Sequence, residues 1–220
     1  MTLIMFDMDG TLIDTQALIS EHMATAFTGA GLREPTPAEV RRIIGLSLPV
    51  AIARLAGTDD PELIDRLVED YKGHYRASVV QGCDREGLFP GARKALDALN
   101  MDAANVMGVA TGKGLAGVQR ILALHDLADH FATLQTPDHN PSKPHPGMLL
   151  RAMDETGFGK DETVMIGDTV FDIELGRNAG VATIGVTWGY HDAAELLAAG
   201  AHTMIETFDE LDDAIRRVLE

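Results

Sequence analysis

The 220-residue chain carries 34 acidic against 18 basic side chains, a formal net charge of -16, 45% apolar residues and one cysteine. That length fits one large domain or one domain with a smaller insert, and the ordinary apolar content excludes a disordered chain. The single thiol, Cys83, excludes an internal disulfide framework or multi-cysteine zinc site, the acidic balance disfavours a nucleic-acid partner, and no apolar run approaches the roughly 18 residues of a membrane span.

Residues 2–6 (TLIMF) form a short continuous apolar run ending on Asp7, the pattern of a strand buried on both faces. Asp7 also interrupts the greasy core that a signal peptide would need, so the expected location is the cytoplasm. From about 15 to 82 the signals are helical only. Thr36-Pro37-Ala38-Glu39 reads as a capping box, and Asp60-Pro61-Glu62 opens another helix in the same manner. Leu63, Ile64, Leu67, Val68, Tyr71 and Tyr75 then recur at spacings of 3 and 4, so this stretch reads as a small helical insert.

After Pro90-Gly91 strands and helices alternate. Strands are predicted at 106–110, near 131–134, and at 164–166, 181–186 and 203–205. Helices are predicted at about 91–100, 114–125, 145–156, 171–179, 192–199 and 208–219. Such alternation implies right-handed crossovers, hence an α/β fold with a doubly wound, mostly parallel sheet. Ligands of these sheets sit at the carboxyl ends of the strands, so the polar residues just after each strand are the candidates for chemistry.

Those residues are Asp7-Met8-Asp9-Gly10-Thr11 after the first strand, Thr111-Gly112-Lys113 after the second, and Gly167-Asp168-Thr169 with Asp172 after the strand at 164–166. Ser142-Lys143-Pro144-His145 precedes a helix between the last two. If the strands are neighbours, Asp7, Asp9, Asp168 and Asp172 share one crevice, where their joint ionisation requires a positive partner. Mg²⁺, a hard cation that keeps positions free for waters and substrate oxygens, answers that need, and Lys143 adds a second positive charge. Thr111, with the amides of Thr111 and Gly112 opening a helix, offers donors to an anion. A carboxylate nucleophile can form an acyl phosphate, and Asp9, two residues along an extended backbone from Asp7, points to the same side and can serve as general acid and base.

Four segments in this order, FDMDGTLIDT, VATGK, SKPHPGML and MIGDTVFD, closely resemble the haloacid dehalogenase superfamily of phosphohydrolases, in the branch with a helical cap inserted after the first motif. The resemblance spans essentially the whole chain. It implies a Rossmann-like catalytic core over 1–14 and 83–220 and a cap over 15–82. It also implies Asp7 as nucleophile, Asp9 as general acid/base, Thr111 as a phosphate ligand and Lys143 as the balancing charge; Gly10, Gly112 and Lys113 are further candidates around the phosphate, Lys113 reading equally as a surface residue. Mg²⁺ would be held by Asp7, by Asp168 and by Asp9 through its backbone carbonyl, with Asp172 either a ligand or a support for Lys143.

Within that superfamily the dehalogenases place an aromatic residue where this chain has Asp9, and the phosphonatase branch lacks that second acid. The mutase branch carries a His five residues after the trailing acid of its first motif, where this chain has Ile19. The expectation is therefore a phosphomonoesterase for a small soluble phosphorylated metabolite, resembling phosphoglycolate phosphatases in its tail VTWGYHDAAELLAAGAHTMIETFDEL. The alternatives are a non-catalytic module binding a phosphorylated ligand, and a sugar phosphomutase. Segment 15–82 holds 9 acidic and 7 basic residues, a net of -2, so it is nearly neutral beside an acidic core. Gly45-Leu46-Ser47-Leu48-Pro49, Arg41 and Arg42 are the expected selectivity residues, and His145 is read as a helix-start residue.

Overall fold

Strand β1 (Thr2–Phe6) is apolar from Leu3 onward because both of its faces are covered. Ile4 and Phe6 join one buried cluster, whereas Leu3 and Met5 join a second, as the two-residue period of a strand requires. Four more strands, β2 (Asn105–Ala110), β3 (Phe131–Gln135), β4 (Thr163–Gly167) and β5 (Ala182–Val186), and the short β6 (Thr203–Ile205), complete the sheet. In this computed structural model, which describes residues 1–82 and 85–220, the order is β3-β2-β1-β4-β5-β6 and every pairing is parallel. Cys83, expected to be a packed residue at a hinge, lies outside the described residues.

The sheet winds outward in both directions from β1. The chain runs from β1 to β2 and β3 on one side, then returns to β4 on the other. Its topological switch point therefore lies between β1 and β4, where loops diverge and leave a crevice. Helices α5 (Ala92–Met101), α6 (Leu115–Leu124) and α10 (Leu211–Leu219) cover the Ile4/Phe6 face, and α7 (Gly147–Thr156) and α8 (Val170–Ala179) the Leu3/Met5 face. A further helix, α9 (Ala193–Ala199), precedes β6. The predicted strands and helices of this region fall within a few residues of those observed. Helix α7 starts at Gly147, two residues later than expected, and His145 is exposed with its Nδ1 accepting from the Gly147 amide at 3.1 Å.

Between β1 and α5 the chain forms α1 (Gln16–Gly29), α2 (Pro37–Arg41), α3 (Leu48–Ala56) and α4 (Pro61–Val80). Thr36 caps α2 reciprocally with Glu39, donating its amide to the Glu39 carboxylate at 2.8 Å and accepting from the Glu39 amide at 3.3 Å. Asp60 caps α4 by accepting from the Glu62 amide at 3.1 Å. Its glutamate stands at the second helical position rather than the third, so the expected reciprocal box reduces to a single cap. These helices share an apolar cluster that includes Met23, Phe27, Ile52, Leu67 and Val68. Phe171 and Tyr190, from the sheet side, also belong to it. The helical unit therefore docks on the loops above β4 and β5. Among the described residues, no helix is long and apolar enough to cross a membrane.

Candidate active site

Asp7 is the first residue beyond β1, and its amide still donates to Ile166 of β4 at 2.9 Å, so the sheet itself fixes its backbone at the switch point. Its side chain is fully buried. Lys143, buried to the same degree, donates to Asp7 Oδ1 at 2.7 Å and to Asp172 Oδ1 at 2.5 Å. The other Asp172 oxygen, Oδ2, accepts from the amide and the hydroxyl of Thr169 at 3.0 and 2.7 Å. Asp172 is thus committed on both oxygens and holds Lys143 against Asp7. Asp168 accepts from the Thr11 hydroxyl at 2.8 Å and from the Tyr190 amide at 2.9 Å.

One lysine stands among three buried acids. Asp7, Asp168 and Asp172 each offer an oxygen within 4.8 Å of the others. Burial pushes the Asp7 carboxyl up to about 7 against the pull of the Lys143 ammonium, with Asp172 adding to the rise. Burial also raises Asp168 well above the carboxylate range, helped by the charges of Asp172 and Asp7. Lys143 loses charge stability to burial, but Asp172 and Asp7 overcome that loss and raise it. Asp7 Oδ2 is buried without any hydrogen-bond partner, an uncommon state for a polar atom and one that a cation would relieve. This donor set, hard oxygens with excess negative charge, fits a small divalent ion.

Asp9 does not join the cluster through its side chain. Its carboxylate accepts from Thr15 Oγ1 at 2.7 Å and from the Lys113 ammonium at 3.0 and 3.2 Å. Lys113, which the sequence allows either at the phosphate or on the surface, is 13% exposed in its side chain and lines the cavity beside Asp9. Its ammonium also lies 5.5 Å from the centre of the Tyr75 ring of α4. Gly10 has φ +101°, and a Cβ there would fall 2.2 Å from Asp168 Oδ2, so only glycine lets this loop pass so close to the carboxylate.

Thr111, Gly112 and Lys113 follow β2 and line, with Asp7 and Asp9, the floor of a cavity of about 810 Å³ under the helical unit. One expectation fails here. The Thr111 amide is not offered to an anion, because pairing with β3 continues one residue past the strand and it donates to the Gln135 carbonyl at 3.1 Å. Helix α6 begins only at Leu115, whose amide is taken by Asp138 Oδ2 at 2.8 Å. The Thr111 hydroxyl remains, accepting from the Lys113 amide at 3.3 Å.

Gly45, Leu46, Leu48 and Pro49 line the cavity, whereas Arg41 and Arg42 do not. Arg41 binds the carbonyls of Tyr190 and Gly189, and Arg42 pairs with Glu195 at 3.4 Å, so both fasten the helical unit to the 188–195 segment instead of reading a substrate. A Cβ on Gly112 would lie 2.3 Å from the Leu46 carbonyl oxygen, a contact between the two halves of the cavity that only glycine permits. Gly112→Ala is therefore expected to force the 45–47 loop off the floor, lowering stability by about 1–3 kcal/mol. Thermal unfolding measures this, and an unchanged midpoint would show that the loop yields freely.

Residues 4–186 match the model of the haloacid dehalogenase-like hydrolase family. The chain belongs to that family. It is 34% identical over 222 residues to the Probable phosphatase IndB of Dickeya dadantii, covering 99% of this chain and 95% of that one. It is also 33% identical to the Phosphoglycolate phosphatase of Agrobacterium fabrum, over 97% of this chain and 91% of the relative. A crystal structure of a hydrolase from Pseudomonas syringae superposes with a TM-score of 0.86 at 25% identity and 99% coverage of both chains. This haloacid dehalogenase-like hydrolase is accordingly an enzyme, and its curated relatives carry phosphatase names.

Several residues that organise the site of this hydrolase were not singled out from sequence. The Thr15 amide donates to the Tyr190 hydroxyl at 3.0 Å, and Trp188 Nε1 donates to the Thr11 carbonyl at 3.0 Å, so the segment after β5 braces the first loop. Glu86, buried beside the described end of the helical unit, accepts from Tyr75 at 2.8 Å and pairs with Arg120 of α6. Such long-range partners leave no local pattern. The nearest signal was the cluster of Trp188, Tyr190 and His191 just after a strand.

Proposed function

We propose that this protein is a Mg²⁺-dependent phosphomonoesterase that passes the phosphoryl group of a small soluble ester to Asp7 and then to water. The carrying observation is Asp7 itself, a buried carboxylate on the cavity floor with Oδ1 held by Lys143 and Oδ2 without a partner. A carboxylate so little engaged by hydrogen bonds has lone pairs to give both to a cation and to phosphorus.

In the first step a bond forms between an Asp7 oxygen and phosphorus, and the bond to the leaving oxygen breaks. Asp9 gives that oxygen a proton as the alcohol departs. Water then attacks the aspartyl phosphate, Asp9 takes its proton, and inorganic phosphate leaves with the Asp7 carboxylate restored. For Asp9 to carry a proton, the Lys113 ammonium must exchange its carboxylate for the phosphate oxygens, a short movement given that both line the cavity. Lys143 stays with Asp7 and Asp172, spreading the charge that develops on the phosphoryl group. The Thr111 hydroxyl and the Gly112 backbone bound the space that the phosphate occupies.

Asp7, Asp168 and the Asp9 carbonyl would hold the Mg²⁺, while Asp172 holds Lys143. When bound, the ion neutralises the acids and draws charge from the phosphate oxygens. In this reading segment 15–82 is the cap, 1–14 and 83–220 form the core, and the enzyme works in the cytoplasm on a diffusible substrate. Phosphoglycolate, which names the Agrobacterium relative, heads the substrate panel. Turnover of a chromogenic phosphate ester should vanish in excess chelator and return with Mg²⁺. Ca²⁺, with its looser and higher coordination, should bind without restoring it. Full turnover in chelator would overturn the metal, and no turnover with Mg²⁺ on any ester would overturn the phosphatase.

A further inference from the structure

The cavity is large for a two-carbon acid. At about 810 Å³ it falls in the roughly 300–1,000 Å³ range of pockets that enclose drug-sized ligands. Its phosphate end is polar, but the walls above are not. Ile19 and Met23 of α1, Ile44, Leu48 of α3, and Tyr71 and Val79 of α4 turn aliphatic and aromatic surface toward the floor. At the rim Val80 is 87% exposed, a large apolar side chain left in water beside the opening.

The buried charges on these walls are already paired, and two exposed cations share one acid. Lys113 is paired with Asp9 at 3.0 Å, Lys72 with Glu69 at 3.0 Å, Arg76 with the same Glu69 at 3.9 Å, and Arg120 with Glu86. If Lys113 moves to the phosphate, it too is committed. Among the described residues lining the cavity, the largely buried cations Lys113 and Arg120 are therefore committed, and Lys72 and Arg76 stand in water, 50% and 67% exposed. A carboxylate on the leaving group would enter an apolar chamber and lose its hydration without gaining a buried cation, a costly transfer. An apolar ring or chain of about ten heavy atoms would instead release water from these walls.

We infer that the substrate is a phosphomonoester whose leaving alcohol carries a bulky, uncharged, largely apolar or planar group, rather than a short phosphorylated acid such as phosphoglycolate. This rests on the phosphatase reading for its chemistry and on the cap walls for its selectivity, and the two are tested apart. Esters of 3-phenylpropanol and n-propanol share nearly the same leaving-group reactivity, so a difference between them reports binding of the ring. On the Mg²⁺-loaded protein, kcat/KM for 3-phenylpropyl phosphate should exceed that for n-propyl phosphate and for phosphoglycolate at least tenfold.

The matching phosphonates cannot be hydrolysed and report the cavity without the reaction. By calorimetry, 3-phenylpropylphosphonate should bind at least ten times more tightly than n-propylphosphonate. Val79→Arg, which sets a long cation on the wall, should narrow both ratios by threefold or more while the thermal midpoint shows the variant folded. Leu48→Arg does the same from α3 and serves if the first variant fails to fold. Equal phosphonate affinities, or higher efficiency on phosphoglycolate, would overturn the inference and leave the phosphatase standing. A clear phosphonate preference with no ester hydrolysed would overturn the phosphatase and leave the cavity's selectivity in place.

Discussion

Asp7→Asn should abolish turnover while leaving the fold intact. The substitution keeps the shape of the side chain and removes the attacking charge, so activity should drop at least a hundredfold, or about 2.7 kcal/mol in transition-state stabilisation. Stability should respond differently. Burial already disfavours the ionised form of Asp7, and Lys143, which loses Asp7 as a charge partner, keeps Asp172 as the other. In chelator the variant's stability should therefore stay within ~1 kcal/mol of wild type, about 2–4 °C in the unfolding midpoint. A variant keeping more than about a hundredth of wild-type turnover would remove Asp7 as nucleophile. A variant that is inactive because it no longer unfolds cooperatively would show instead that Asp7 holds the structure.

Lys143→Ala should damage both properties. Lys143 is a positive charge in direct contact with both Asp7 and Asp172, and all three side chains are buried. Removing one member of a buried ion pair leaves the others uncompensated in a medium that solvates them poorly, typically at about 3–5 kcal/mol. Loss on that scale is a large share of the stability of an ordinary domain. Urea unfolding in chelator should show it, and turnover should be lost even where the protein stays folded. Lys143→Met, which keeps the volume, should recover packing but neither the ion pair nor the activity. If either variant matched wild type in both measurements, Lys143 would be a bystander.

The elements of the sheet were readable because their causes are local. The TLIMF run has no polar face, and the only place such a strand can lie is the middle of a sheet covered on both sides. The same holds for the caps. Thr36 with Glu39 is a four-residue interaction, written within the segment it starts. Asp60 shows the limit of such reading, since one residue's difference in spacing turned an expected reciprocal box into a single hydrogen bond.

Contacts between segments far apart in the chain were harder to read. The loss of the Thr111 amide to Gln135 depends on how far β2 and β3 stay paired, which a sequence of either strand does not contain. Arg41 and Arg42 looked like substrate readers because they flank a loop that does face the cavity. Where they point is set by the 188–195 segment, more than 140 residues away, whose carbonyls and Glu195 they meet. Lys113 could have lain on either side of its turn, and the Asp9 carboxylate decided it.

The sequence by itself determined the α/β class and the helical nature of 16–80, and it pointed to Asp7, Asp9, Lys143, Asp168 and Asp172 as one candidate set. Those follow from residue type, period and order along the chain. Only the tertiary structure decided which acids cluster, Asp7 with Asp168 and Asp172 while Asp9 turns to Lys113, and which walls enclose the space above them. Carboxylates of equal chemistry are told apart by a few ångströms of separation and by the cation each one meets, quantities that exist only after distant segments have packed.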